Sequence, residues 1–248
     1  MIEIRGLTKA YDGRPVLRGI DLRVRPGERV ALVGPNGSGK TTLMRAVLGF
    51  VRAGGSVRVA GHDPWNDHAA AQVHVAYVPQ RAPALPVPVG DMVAAWAQMR
   101  GLPTERLHTC AAAFLLDLDA IRAVRFVSLS GGMQQKLLAA MALASECPLL
   151  VFDEPTANLD PKARQVFLDA LAHRLPSSSS PQAQAAPTVV LSSHRLDEVR
   201  HLVDRVVVLT DGSIRSDAGL DAFLADPTLA AEAGLDTHPG VIPFRSQR

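Results

Sequence analysis

Ala31-Leu32-Val33-Gly34-Pro35-Asn36-Gly37-Ser38-Gly39-Lys40-Thr41-Thr42 is the stretch on which the reading of this chain turns. Residues 31–33 form a short apolar strand, and residues 34–42 follow without a spacer in the phosphate-loop (Walker A) pattern G-x-x-x-x-G-K-[ST]. Gly34, Gly37 and Gly39 let the backbone take left-handed conformations and approach a ligand closely, so that successive N–H groups converge on one anion. Residues 43–50 carry the apolar spacing of a helix, whose N-terminus would aim partial positive charge at the same point. Lys40 adds a full charge for β- and γ-phosphates, and Thr41 a hydroxyl for Mg²⁺. A Gly-rich turn that binds nothing is the alternative, and the position of the motif between a strand and a helix speaks against it.

Bulk properties bound what the loop serves. With 248 residues the chain holds one large α/β domain with room for a subdomain. A formal net charge of +2 is too near balance to indicate nucleic acid or an anionic membrane surface. Cys110 and Cys147 lack metal-ligand spacing and read as two buried, reduced thiols. Residues 1–5 lack the apolar core of a signal peptide. The nearest approach to a membrane span, residues 137–152, is interrupted by Glu146 and Pro148. A soluble, cytoplasmic chain is the expectation.

In chain order, Ile2 and Ile4, then Ile20, Leu22 and Val24, alternate with polar residues as half-exposed antiparallel strands do. Tyr11 stands beside an Asp12-Gly13 turn; it is either packing filler or an aromatic face for a purine. Further strands are expected at 56–61 and 73–78, the latter ending at Pro79-Gln80. Gln80 is a loop glutamine unless the site claims it. The proline-rich run 83–88 leads to a helix from Asp91 to Arg100 carrying Met92, Trp96 and Met99, and Thr104 is a candidate cap for a second helix to Leu116. The segment 82–100, with Asp91 and Arg100 taken as exposed charges, is expected to form a groove for a partner helix, unless its apolar residues merely fill the subdomain's core. Leu129-Ser130-Gly131-Gly132-Met133-Gln134-Gln135-Lys136 opens a long helix to about Ala144; its serine cap and glycines make a second anion-seeking helix end, or only an ordinary cap.

Leu149-Leu150-Val151-Phe152-Asp153-Glu154 reads as a fully buried parallel strand with two carboxylates at its carboxyl end, the place where open α/β sheets bind ligands. Neighbouring strand residues point apart, so one carboxylate can hold hydrated Mg²⁺ while the other polarises a water. Pro161 starts a helix to about Arg174, residues 176–187 are a low-complexity surface loop, and residues 188–194 are a buried strand ending at His194. A helix over 195–203, a strand over 205–210 and a hairpin at Asp211-Gly212 complete the pattern, with a loosely ordered tail past Asp236.

Taken together, the phosphate loop, Gln80, the Leu-Ser-Gly-Gly-x-Gln run from Leu129, Asp153-Glu154, Asn158-Leu159-Asp160 and His194 resemble, in this order, an ABC transporter ATP-binding subunit. The resemblance implies an α/β P-loop ATPase core with an N-terminal antiparallel β subdomain and an inserted α-helical subdomain. The resemblance covers roughly residues 2–225 and implies an ATPase domain over 1–235, with helical subdomain about 82–145 and flexible loop 176–187, followed by a tail over 236–248. By the same resemblance Tyr11 stacks adenine. Gly34, Pro35, Asn36, Gly37, Ser38, Gly39, Lys40, Thr41 and Thr42 hold phosphates, while Ser130, Gly131 and Gly132 hold the γ-phosphate of a second copy's nucleotide. Thr41, Gln80 and Asp153 surround Mg²⁺, Glu154 is the general base, Asn158 to Asp160 cross a dimer interface, and His194 meets the γ-phosphate. ATP and Mg²⁺ are the implied cofactors. The implied partners are a second copy of the chain and integral membrane transporter subunits, at the cytoplasmic membrane face. Residues 91–102 look most like ABC-2-type exporters or the accessory systems of copper-enzyme maturation. Soluble relatives that act on DNA or ribosomes carry long coiled coils or two cassettes, and this chain shows neither.

Overall fold

Ile2, Ile4 and Leu7 turn to one side of strand β1 (Ile2–Tyr11), and Leu17, Ile20 and Val24 to one side of β2 (Arg14–Val24). In the computed structural model, which describes residues 1–157, 159–175 and 186–235, these two strands form an antiparallel hairpin. Asp12 and Gly13 between them have φ of 49° and 75°, as a two-residue turn with two left-handed positions requires.

Strand β3 (Arg29–Val33) leads into helix α1 (Lys40–Val47). The helix starts at Lys40 rather than Leu43 because Gly39, at φ 107°, is its N-cap: the loop's last residues already form the first turn. It stops before Phe50 because Gly49 takes φ 69°. Strand β4 (Gly54–Val59) pairs with β1, giving an antiparallel sheet of order β2-β1-β4. A short helix α2 (His68–Gln72), not foreseen in the sequence, precedes β5 (Val75–Val78).

Three helices follow: α3 (Val89–Arg100), α4 (Thr104–Ala113) and α5 (Gly131–Ala144). Thr104 is the first residue of α4 rather than its cap; Pro103 holds the cap position. The buried face of α3 runs through Val89, Val93, Trp96 and Ala97, with Met92 partly packed, while Met99 falls off that face and is 79% exposed. Arg100 departs from the expectation of a free surface charge: its guanidinium donates to Cys147 Sγ at 3.1 Å and to the Val75 carbonyl at 3.2 Å. It ties the end of α3 to the sheet. Arg100→Glu is therefore expected to destabilise the fold by about 1–3 kcal/mol through the loss of two partly buried hydrogen bonds. Asp91→Lys, at an exposed position, should stay within about 0.5 kcal/mol of the parent in chemical denaturation.

The remaining elements are β6 (Leu149–Asp153), α6 (Pro161–Arg174), β7 (Thr188–Ser192), α7 (Leu196–Leu202), β8 (Arg205–Thr210), β9 (Ser213–Gly219), α8 (Leu220–Ala225) and α9 (Pro227–Glu232). The expected loop at 176–187 lies outside the described residues except for its last two positions, and so does the tail past residue 235. The larger sheet has the order β5-β6-β7-β3-β8-β9, parallel except for β9. Strands β3, β6 and β8 are apolar on both faces because both faces are covered, whereas the edge strand β9 is polar and has no buried residue. Ala31 and Val33 pack into a core shared with the helices, whereas Val30 and Leu32 pack into a second core against the antiparallel sheet and α1. Phe114 and Phe167, with ring centroids 5.1 Å apart, join the α4 region to α6. The parallel alignment brings the carboxyl ends of β3, β6 and β7 to one rim, where the phosphate loop, Asp153-Glu154 and His194 begin.

Candidate nucleotide site

The back of the phosphate loop leaves no space for side chains. Gly34 has φ 152°, and a Cβ there would stand 2.0 Å from the Leu209 carbonyl oxygen. A Cβ on Gly39 would meet the Leu17 side chain at 2.9 Å and the Val16 oxygen at 3.0 Å. Between β8 and β9, Gly212 donates its N–H to Ser38 O at 3.1 Å and accepts from Arg18 N at 2.9 Å, so the turn braces the loop from behind. Past α9, Gly234 packs beside Pro35. The front of the loop is open: Pro35, Asn36, Gly37 and Thr41 are exposed, whereas Ser38 and Gly39 are buried and Thr42 is half-buried. Lys40 folds back over its own loop, donating from Nζ to Gly34 O at 2.6 Å and Pro35 O at 3.1 Å. Burial pulls its pKa below the usual lysine value, while the Glu154 and Asp153 carboxylates oppose that shift.

At the end of β6, Asp153 is buried and accepts from Ser192 Oγ at 2.6 Å. Tyr77, on the neighbouring strand β5, has its phenol pushed up to about 12, by burial first and then by the Asp153 charge. Glu154 has left the strand in a left-handed conformation, φ 45°, which is unfavourable for a residue with a side chain. Its N–H holds it there by donating to Ser192 O at 3.0 Å and Ser192 Oγ at 3.1 Å. One Glu154 oxygen, Oε2, accepts from Gln80 Nε2 at 2.6 Å and lies 3.6 Å from His194 Nδ1. Lys40, Gln80, Asp153, Glu154 and His194, dispersed in the sequence, thus share one crevice. Behind it, Thr156 and Ser193 both donate hydroxyl hydrogen bonds to Glu198, whose carboxyl burial pushes above the ordinary range.

Other expected site residues stand apart. Tyr11, 41% exposed, carries the Lys9 ammonium over its ring at 4.9 Å from the centroid. Ser130 caps α5, accepting from Met133 N at 3.3 Å, with Gly131 and Gly132 opening the helix. Leu159 lies close enough to Gly132 that a Cβ there would be 3.2 Å from its Cδ2. Asp160 caps α6 by accepting from Lys162 N and Ala163 N, each at 3.0 Å; Asn158 lies outside the described residues. Sequence reasoning passed over Ser192, Ser193, Thr156 and Glu198. The visible signal was a pair of hydroxyls directly before His194, and a carboxylate one helical turn after it.

A carboxylate held by a hydroxyl, an exposed threonine hydroxyl at the start of α1 and a glutamine amide are hard oxygen donors. Mg²⁺ takes such a set when phosphate oxygens and water complete its shell. Asp153, Thr41 and Gln80 fit that chemistry.

Fold and site define a phosphate-loop nucleotide-binding protein. The family model described as ABC transporter matches residues 17–157. The chain is 31% identical over 240 residues to the L-cystine transport system ATP-binding protein TcyN of Escherichia coli (strain K12), covering 91% of this chain and 93% of that protein. It is 32% identical over 219 residues to human phospholipid-transporting ATPase ABCA7, covering 86% of this chain and 10% of that much longer protein. The share of a curated relative's length that the chain spans thus runs from 10% through 62% to 93%. Its fold matches a bacterial Atm1-family ABC exporter with ATP bound at TM-score 0.77 and 26% identity, covering 94% of this chain and 41% of that one. The chain belongs to the ABC transporter family and is an ATP-binding cassette of it.

Proposed function

We propose that the chain binds and hydrolyses ATP and thereby powers transport by integral membrane subunits on whose cytoplasmic face it docks. The observation that carries the hydrolytic reading is the crevice in which Gln80 and His194 both approach Glu154 Oε2, beside a phosphate loop whose lysine feels both carboxylates. ATP phosphates take the place of the loop carbonyls as partners of Lys40, and the loop N–H groups and the start of α1 hold them. Thr41, Asp153 and Gln80 would hold Mg²⁺, which would supply charge neutralisation at the phosphate oxygens. A water in line with the γ-phosphate gives its proton to Glu154 as its oxygen bonds to phosphorus, while the bond to the ADP oxygen breaks and ADP leaves with that electron pair. His194 faces the departing γ-phosphoryl group, and Tyr11 offers its ring to adenine.

Ser130, Gly131 and Gly132 serve the nucleotide of a second copy. Two chains related by a two-fold axis place each α5 N-terminus against the other's γ-phosphate, so ATP is part of the interface. The full chain carrying Glu154→Gln is expected to elute as a dimer with ATP and as a monomer without it, and Ser130→Arg to abolish the shift. A Glu154→Gln chain that stays monomeric at saturating ATP counts against the sandwich. The transport reading is supported by relatives named as ATP-binding proteins of transport systems. Among the described residues no helix is long and apolar enough to cross a membrane. Co-purification of a membrane protein with the full chain tests it; recovery of only ribosomes or DNA would point to the rival, soluble branch of the family.

A further inference from the structure

Glu198 is a carboxylate with 2% exposure that no step of the proposed hydrolysis uses. It lies on α7, one turn beyond His194, and its two oxygens reach two different segments of the site. Oε1 accepts the Thr156 hydroxyl, two residues past Glu154. Oε2 accepts the Ser193 hydroxyl at 2.7 Å, and Ser193 directly precedes His194. Arg195 Nε stands 3.7 Å from Oε1, and Arg195 N donates to Ser193 Oγ at 3.0 Å, so the knot is closed on the α7 side as well. On the other side the Thr156 carbonyl accepts from Leu159 N at 3.0 Å, fixing the turn that leads to the Asp160 cap. Glu154 and His194 belong to different strand ends, and the 3.6 Å separation of their side chains depends on how those ends are held together.

We propose that Glu198 is a positioning residue for ATP hydrolysis, clamping the Glu154-to-Thr156 segment to the Ser193-His194 segment through two buried hydroxyls. The inference rests on the hydrolytic reading given above. A carboxylate accepts both hydroxyls at once, whereas a carboxamide accepts one and meets the other with an N–H₂, so that this hydroxyl must turn to accept; Ser193 Oγ already accepts from Arg195 N at 3.0 Å. Glu198→Gln should therefore weaken one arm of the clamp with little change of volume.

The test is steady-state ATP hydrolysis by the full-length protein, with ATP affinity measured separately by a fluorescent nucleotide analogue. Glu198→Gln should lower kcat about tenfold or more, the loss expected when a charged hydrogen bond is disturbed, and leave nucleotide affinity within about threefold. Thr156→Val and Ser193→Ala, each removing one arm without touching the carboxylate, should each reproduce part of the loss. In a His194→Ala background the effect of Glu198→Gln should shrink, because the clamp then has one functional group fewer to place. A purely structural role predicts another pattern: a lower thermal midpoint, unchanged kcat per folded molecule, and an effect equally large in the His194→Ala background. That pattern overturns the inference, and the variants with a single arm removed keep it open to refutation should Glu198→Gln fold poorly. A parent protein without ATPase activity would refute the hydrolytic reading itself, while an active parent with fully active Glu198→Gln, Thr156→Val and Ser193→Ala variants would refute the clamp alone.

Discussion

Glu154→Gln is expected to lower steady-state ATP turnover by roughly 10²–10⁴-fold while ATP binding survives, since a positioned base supplies about that factor. The geometry sets the terms of this expectation. Glu154 is held at φ 45° by two bonds from its N–H to Ser192, an arrangement that does not depend on the side chain, so the substitution leaves the backbone in place. An amide at this position cannot take a proton from water, and the groups proposed to bind phosphate, Lys40 and the loop, are untouched. The decisive measurement is turnover under saturating Mg-ATP beside equilibrium binding of the same preparation. Undiminished turnover would remove Glu154 from the role of base, and a parallel loss of binding would make it a structural support of the phosphate site.

Gly34→Ala is expected to damage both binding and folding. Its methyl would fall 2.0 Å from the Leu209 oxygen and 2.8 Å from Ser38 Oγ, and the obstructing oxygen is backbone in the central sheet, which does not yield as a side-chain end would. Forcing such overlap costs about 1–3 kcal/mol or more, which lowers the thermal midpoint of a chain of this size by roughly 2–4 °C for each kcal/mol. The loop can escape only by moving off β8, which misdirects its N–H groups, so ATP affinity should fall by more than about tenfold, as loss of even one charged hydrogen bond would produce. Gly37→Ala is the control. Gly37 is also left-handed, at φ 82°, but nothing lies within 4 Å of a Cβ there, leaving only conformational strain of about 1–2 kcal/mol. Equal losses in the two variants would show that backbone conformation, and not the wall behind the loop, governs this position.

Much of the architecture was legible because its signals are contiguous. The strand, loop and helix around Lys40, the capped start of α5 and the apolar run into Asp153-Glu154 each lie within one short window, and β6 and α6 run where their patterns place them. What escaped was set by partners distant in sequence. The Gln80–Glu154 bond spans 74 positions and the Ser192–Asp153 bond 39, distances over which no periodicity survives. Arg100 looked like a surface charge because its helix position says nothing of Cys147, which the fold brings to it from 47 residues away. Helix α9 did carry a local signal, Asp226 before Pro227, and the structure shows that carboxylate capping Thr228 N.

The two carbonyls that Lys40 engages, Gly34 O and Pro35 O, act as an internal competitor present at a high effective concentration, since they are tethered to the same short loop. Two of the three ammonium donors are so engaged, and an anion that takes more than the third must displace a carbonyl. A lone inorganic phosphate offers a single group in exchange and gains little, whereas a nucleotide triphosphate brings a second and third phosphate into reach of the loop N–H groups and the start of α1. The tethered carbonyls are thus expected to favour a longer phosphate chain over a single phosphate before any base is recognised.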